Sequence, residues 1–222
     1  MRTCAVLLRP QNRVAYAAFR RLLVLRQVPV GEPLSEAAWA RRLGVRPTSF
    51  RWALIQLEAE GLLQRGACSD YLVPRLTQRD LWEAAHLRLA LEAAAIEEIC
   101  SDVVGGVKGV AGRLCRLRQA CEAAEQYYLA GRDLTLTEAD RRFRDRLIDA
   151  AGNKLLSTLY HRSVLQMIEG DAAQTAEARD VCERRFGQHR QIVDAMERGA
   201  AEQAMQVLRG LYGRRELNAM GQ

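Results

Sequence analysis

The chain has 222 residues, of which 49% are hydrophobic and 27% are charged, a composition typical of globular proteins. No apolar run approaches the ~20 residues that a membrane-spanning helix needs, and the N-terminal segment lacks the pattern of a signal peptide. Residues 1–76 carry 12 arginines and 5 acidic residues, which gives +7, whereas residues 77–222 sum to −1. A positive charge confined to the first third favours nucleic-acid binding there, and we expect a cytoplasmic protein without a membrane partner.

Three helices and two short strands are predicted in the first third of the chain. Apolar residues at helical spacing predict helices over residues 14–27, 36–43 and 48–61, separated by proline and glycine breaks. Alternating residues predict strands over 62–65 and 71–74. This order is that of a winged helix-turn-helix, in which the second helix of the pair enters the major groove of DNA.

Only helices are predicted after residue 75. One of them, "ADRRFRDRLIDAAGN" at 139–153, has Phe143, Leu147 and Ile148 on its apolar side. Further helices are predicted over residues 81–100, 113–130, 153–169, 174–198 and 200–217. We therefore expect a mainly α protein with a winged helix-turn-helix domain at 1–76 and an all-α bundle of about six helices at 77–222.

Catalysis is not indicated by any motif. The chain has no glycine-rich phosphate loop and no Ser/His/Asp arrangement, and its three histidines offer little general-base capacity. Its six cysteines form no CxxC pair and have no zinc-ligand spacing, so we expect reduced, small apolar residues. An enzyme is the least favoured interpretation.

Two segments resemble a known family. "GEPLSEAAWARRLGVRPTSFRWALIQLEAEGLL" is similar to the DNA-binding domain of GntR-family transcriptional regulators. "LWEAAHLRLALEAAAIE" resembles the first helix of the FCD effector domain of the FadR subfamily, and "AGN" at 151–153 and "H..I..AM..G" at 189–199 match later landmarks of that domain. The resemblance covers residues 14–215. It implies a homodimeric regulator that binds a double-stranded operator and responds to an effector.

The recognition turn departs from the family pattern. Relatives read Ser-Arg-Thr-Pro-x-Arg there, whereas this chain reads "RPTSFR" at 46–51, so the operator sequence cannot be inherited from them. Arginines at a helix start either read guanine edges or hold phosphates. The alternative for Arg41 and its neighbour Arg42 is that both are merely solvated. The predicted DNA contacts are Arg41, Arg46, Thr48, Ser49 and Arg51, with Arg65 from the wing.

The resemblance also implies where a metal would lie in relatives that bind one. Those relatives use an Asp, a His four residues later and two further His on later helices. The matching positions here are Asp140, Arg144, His189 and Leu211. Arginine has no lone pair to donate and its charge repels a cation, so we expect no metal and no other cofactor.

An arginine in that position suits a different ligand. A guanidinium at Arg144 can hold an effector carboxylate that a metal holds in relatives, and Arg88 matches an arginine that contacts effectors in many FCD domains. With Asp140 orienting one arginine and His189 donating a further hydrogen bond, the site predicts a small organic acid as effector. The alternative is a buried ion network that fills a collapsed pocket in a ligand-independent regulator.

Overall fold

The computed structural model describes residues 10–66, 70–130, 136–161 and 179–212. Within these ranges the chain forms nine helices and one two-stranded hairpin, which confirms the predicted mainly α fold. Contacts divide the chain after Thr77 into two compact units.

The described residues of the first unit form three helices and the hairpin. Strands β1 and β2 are antiparallel, with Gln64 opposite Leu72 and Arg65 opposite Tyr71, and Val30 adds an isolated bridge to Val73. The elements are α1 (Pro10–Val24), α2 (Glu36–Arg42), α3 (Pro47–Ala59), β1 (Gln64–Arg65) and β2 (Tyr71–Leu72).

Local sequence signals explain where α2 and α3 begin. The hydroxyl of Ser35 caps α2 by accepting from the backbone N–H of Ala38 at 3.4 Å. Pro47 lies in the first turn of α3, where a missing N–H costs nothing. Gly44, with φ of 64°, makes the left-handed turn between the two helices. The helix-turn-helix geometry therefore follows from residues within the segment.

An aromatic cluster holds this unit together. The ring of Phe19 on α1 packs edge-on against Phe50 of α3 at 4.9 Å and against Trp39 of α2 at 5.2 Å. The predicted first strand is shorter than expected, because Leu62 and Leu63 turn into this core and leave only two residues in β1.

The second unit consists of helices throughout its described ranges. Helix α4 packs against α6, α8 and α9, and α6 also packs against α5, so α4 and α6 lie at the centre of the bundle. The parts of the predicted helices that fall at 162–178 and after 212 lie outside the described residues. The elements are α4 (Gln78–Val104), α5 (Val110–Leu129), α6 (Leu136–Ala151), α7 (Lys154–His161), α8 (Arg179–Glu197) and α9 (Ala201–Leu211).

The core of the bundle is aliphatic except around α6. The predicted apolar stripe of α6 is buried, as are Ile96 and Ile99 of α4, which confirms the orientation expected from spacing. Burial raises the pKa of the Cys121 thiol to about 12, so this residue stays protonated and inert. Cys4 and Cys68 lie outside the described residues.

Candidate functional site

The first candidate surface lies on the helix-turn-helix of the N-terminal unit. Arg41 at the end of α2, Arg46 at the N-cap of α3 and Thr48 in its first turn are all exposed. Ser49 differs from them, because this residue is buried, with only 6% of its surface exposed. Arg46 and Thr48 lie at the start of α3, the end of a helix that enters the major groove in this motif.

An ion pair joins the two helices of this surface. Arg51 of α3 is 69% exposed and places its Nε atom 2.9 Å from Oε2 of Glu36 in the first turn of α2. Such an exposed pair adds little to folding stability. Its effect is to limit the directions in which the guanidinium of Arg51 points.

Arg65 is held on the hairpin by three contacts. Its Nη2 donates to the hydroxyl of Tyr71 at 2.6 Å, its Nε lies 3.1 Å from Glu58, and its guanidinium lies 4.4 Å from the centre of the Tyr71 ring. The tip of the wing at 67–69 lies outside the described residues. Arg65 is thus a positioned cation beside the recognition helix.

The second candidate site is a buried ion pair in the bundle. Arg144 of α6 is 7% exposed and Glu92 of α4 is fully buried. Nη1 of Arg144 lies 2.9 Å from Oε2 and 3.2 Å from Oε1 of Glu92, so both carboxylate oxygens accept from one nitrogen. Arg144 was predicted beside Asp140, but in the structure it pairs with Glu92.

Two tyrosines complete the surroundings of this pair. The hydroxyl of Tyr160 on α7 donates to Oε1 of Glu92 at 3.1 Å. The guanidinium of Arg144 lies over the ring of Tyr212, 4.7 Å from its centre. Glu92 and both tyrosines were missed by the sequence analysis. The one available signal was the spacing of Glu92, four residues after Arg88 on the same helix face.

Electrostatics keep these groups in defined protonation states. Burial lowers the pKa of Arg144, but Glu92 and the other nearby groups outweigh it and raise the pKa well above its usual value. Burial raises the pKa of Tyr160, and Glu92 raises it further. At neutral pH the cluster therefore contains a guanidinium, and the Tyr160 hydroxyl acts as a donor.

Arg88 faces the same part of the interior. It is 7% exposed on α4, and its charge opposes the effect of burial on the pKa values of both Tyr160 and Tyr212, as the charge of Arg144 also does. Two buried guanidinium groups thus act on the same pair of tyrosines.

Asp140 and His189 form a neighbouring contact. Nε2 of His189 on α8 lies 3.0 Å from Oδ1 of Asp140, and Oδ2 of Asp140 lies 3.5 Å from Nε of Arg185. Despite the short distance, neither the Asp140 Oδ1 atom nor the His189 Nε2 atom makes a well-directed hydrogen bond with a described residue. The histidine ring stacks on Phe143 with 4.0 Å between ring centres.

The four positions that would hold a metal in relatives do not fit one here. Asp140 and His189 offer two donor atoms, Arg144 is a paired cation, and Leu211 is a buried apolar side chain. Borderline divalent ions in such sites take at least three protein donors. Across the described ranges, no group of three His, Cys, Asp or Glu side chains has the arrangement of a metal site.

In the described part of the chain, no helix combines the length and apolar character that crossing a membrane requires.

Comparison with protein families finds two matches that together span most of the chain. The model of the FCD domain matches residues 83–214, and the model of bacterial regulatory proteins of the gntR family matches residues 11–67. The first match alone covers more than half of the chain.

Curated relatives are transcriptional regulators by name. A "Probable D-xylose utilization operon transcriptional repressor" from Paenarthrobacter nicotinovorans is 28% identical over 184 residues, which cover 82% of this chain and 76% of that protein. The "Uncharacterized HTH-type transcriptional regulator YdhC" from Bacillus subtilis (strain 168) is 26% identical over 130 residues, covering 58% of this chain and 55% of that relative.

Solved structures share the fold at lower identity. "E. coli McbR/YncC" superposes with a TM-score of 0.74 at 18% identity and covers 92% of this chain and 94% of that chain. A transcriptional regulator GntR from Rhodococcus sp. RHA1 superposes with a TM-score of 0.72 at 22% identity, covering 95% of this chain and 97% of that one.

Proposed function

The chain is a transcriptional regulator that belongs to the GntR family and carries an FCD domain, and on that premise we propose how it recognises DNA and how it is controlled. It acts in the cytoplasm as a homodimer on a pseudo-palindromic operator, with one winged helix-turn-helix on each half-site. Its role is regulatory rather than enzymatic, as the names of its relatives support.

The proposed DNA contacts centre on the start of α3. The observation that carries this proposal is the group of exposed side chains at this helix end, within the third of the chain that holds all of the excess positive charge. Ser49 is buried, so we assign it to packing beneath this surface. The proposed contacts are Arg41, Arg46, Thr48, Arg51 and Arg65.

Fluorescence anisotropy with the DNA upstream of the chain's own gene tests this proposal. The variants Arg46→Ala and Arg51→Ala should weaken binding, and loss of a phosphate contact should reduce the slope of log K against log salt by about 1. Arg209→Ala is a matched control, since Arg209 is an exposed arginine on α9 whose Nη1 atom lies 3.6 Å from Oε1 of Glu202. Absence of specific binding to this DNA at moderate salt, with or without ligands, would contradict the proposal.

The C-terminal bundle is proposed to bind a small organic anion without a metal. The supporting observation is that the guanidinium groups of Arg88 and Arg144 are buried in one region of the bundle, with Asp140 and His189 nearby. Buried cations favour an anionic partner because the interior does not screen their charge. The anion would change the spacing or order of the two winged domains through the linker at 74–79.

A second candidate is a ligand-independent regulator of the same fold. It is favoured by the ion pair between Arg144 and Glu92, because a carboxylate of the chain itself already neutralises the arginine. The two candidates differ in whether any added anion stabilises the protein.

A thermal-shift screen separates them. Sugar acids, dicarboxylates and short fatty acids are the test compounds, with D-xylose as a neutral sugar suggested by the name of one relative. Stabilisation that disappears in Arg144→Ala but persists in Arg142→Ala, an exposed arginine on the same helix, supports the anion site. A screen without any stabilising anion supports the ligand-independent regulator.

A further inference from the structure

We propose that Glu92 is the resident carboxylate of the Arg144 site. The Glu92 side chain occupies the position where the carboxylate of an anionic ligand would bind. An external carboxylate therefore reaches Arg144 only when the Glu92 side chain moves away. A regulatory role for Glu92 rests on the proposed function, whereas the contact between Glu92 and Arg144 does not depend on it. It makes Glu92 the residue that decides which anions the site accepts.

The surroundings of the Glu92 carboxylate are those of a bound ligand. Its two oxygens lie 2.9 and 3.2 Å from Nη1 of Arg144, and Oε1 also accepts from the Tyr160 hydroxyl at 3.1 Å. A guanidinium and a neutral hydroxyl are the donors that proteins use to bind free carboxylates. The carboxylate is fully buried, so it is bound as a desolvated anion.

Arg144 is also covered on its other side. The ring of Tyr212 lies 4.7 Å from the guanidinium carbon, and only 7% of Arg144 is exposed. For an external anion, the charge of Arg144 is already paired with Glu92 and its face is already covered by Tyr212. The anion binds only those molecules in which Glu92 has moved away from Arg144. Because this fraction is small, the apparent affinity of the protein for the anion is reduced in proportion.

Removal of the Glu92 side chain should therefore convert the ion pair into a binding site for a small carboxylate. Glu92→Ala deletes a CH2–COO− group, which is the size and charge of acetate. Acetate should stabilise this variant and leave the wild-type protein unchanged. At about ten times its Kd, acetate should raise the Tm of the variant by roughly 3–6 °C.

The experiment is a thermal unfolding titration with sodium acetate at pH 7 and constant ionic strength. Acetamide, which has the same shape without the charge, is the ligand control. Glu97→Ala removes an exposed glutamate of the same helix and is the control variant. Combining Glu92→Ala with Arg144→Met should abolish the acetate response, since the guanidinium that held the Glu92 carboxylate is then absent.

Glu92→Ser is a second variant that leaves room for the ligand. If either variant is unfolded in buffer, recovery of helical circular dichroism with acetate replaces the Tm shift as the readout. Failure of acetate to stabilise both variants, or equal stabilisation by acetamide, overturns the proposal.

The same titration separates this inference from the proposed function. An acetate response in Glu92→Ala together with a silent anion screen on the wild type would support Glu92 as a permanent internal ligand. That result would reject anion control while leaving the inference in place. An effector found for the wild type, without an acetate response in the variants, would reject the inference alone.

Discussion

His189 of α8 places its Nε2 atom 3.0 Å from Oδ1 of Asp140 on α6, and the ring of this buried histidine stacks on Phe143. Burial lowers the pKa of His189 below its usual value of 6.5, and the charges of Arg144 and Arg185 add to this effect against the opposing influence of Asp140. Burial raises the pKa of Asp140, but His189 and the nearby arginines outweigh it, so this pKa lies below 3.8. At neutral pH the contact joins a neutral imidazole and a carboxylate.

This contact predicts that acid destabilises the bundle in two steps. Below pH 6.5 the unfolded chain protonates His189 while the folded protein does not, so the free energy of unfolding falls as pH decreases. A further loss begins below pH 3.8, where the unfolded chain protonates Asp140 before the folded protein does. Urea unfolding between pH 7.5 and 5 should give a flatter profile for His189→Gln than for the wild type. If the free energy of unfolding of that variant depends on pH as steeply as that of the wild type, His189 is not the source of the pH dependence.

The buried pair of Arg144 and Glu92 predicts strongly coupled substitutions. Arg144→Met leaves Glu92 charged and buried without its cation, and should cost about 3–5 kcal/mol of the free energy of unfolding. Adding Glu92→Leu should recover most of this loss, because no buried charge then remains from the pair. Urea denaturation of the single and double variants measures the coupling. Additive effects of the two substitutions would contradict a direct interaction.

Substitution of Asn153 is expected to destabilise the start of α7. Its Oδ1 accepts from the backbone N–H groups of Leu155 and Leu156 at 3.1 Å, and its Nδ2 donates to Glu98 of α4 at 3.1 Å. Asn153→Ala removes both functions and should lower the free energy of unfolding by about 1–2 kcal/mol. Asn153→Ser keeps a capping oxygen and should therefore lose less of the free energy of unfolding than Asn153→Ala. Equal losses in the two variants would assign the whole effect to Glu98.

Substitution of Glu36 is expected to change DNA specificity without changing the fold. Glu36→Gln removes the charge that restrains Arg51 and also removes an anion from the proposed DNA-facing surface. Non-specific affinity should rise, and the ratio of operator to non-specific binding should fall about fivefold. Anisotropy titrations with operator and scrambled duplexes at several salt concentrations measure both. A specificity ratio equal to that of the wild type would show that the pair does not position Arg51.

Helices were the most predictable part of this protein. The apolar spacing located α3 and α6, because this signal is carried by residues only a few positions apart in the chain. Helix ends were less accurate: α4 continues to Val104, beyond the predicted end at residue 100. The strand predicted at 62–65 was too long, since two adjacent leucines are drawn into the core instead of alternating across a hairpin.

The sequence by itself determined the order of elements, the location of the positive charge and the replacement of a histidine by Arg144, because each is a property of local residues. Tertiary structure alone decided that Arg144 pairs with Glu92, 52 residues away, although Asp140 lies four residues from it on the same helix. The reason is desolvation: a guanidinium buried in the bundle needs a carboxylate in direct contact. Which carboxylate reaches it depends on how α4 and α6 pack, and spacing along one helix does not contain that information.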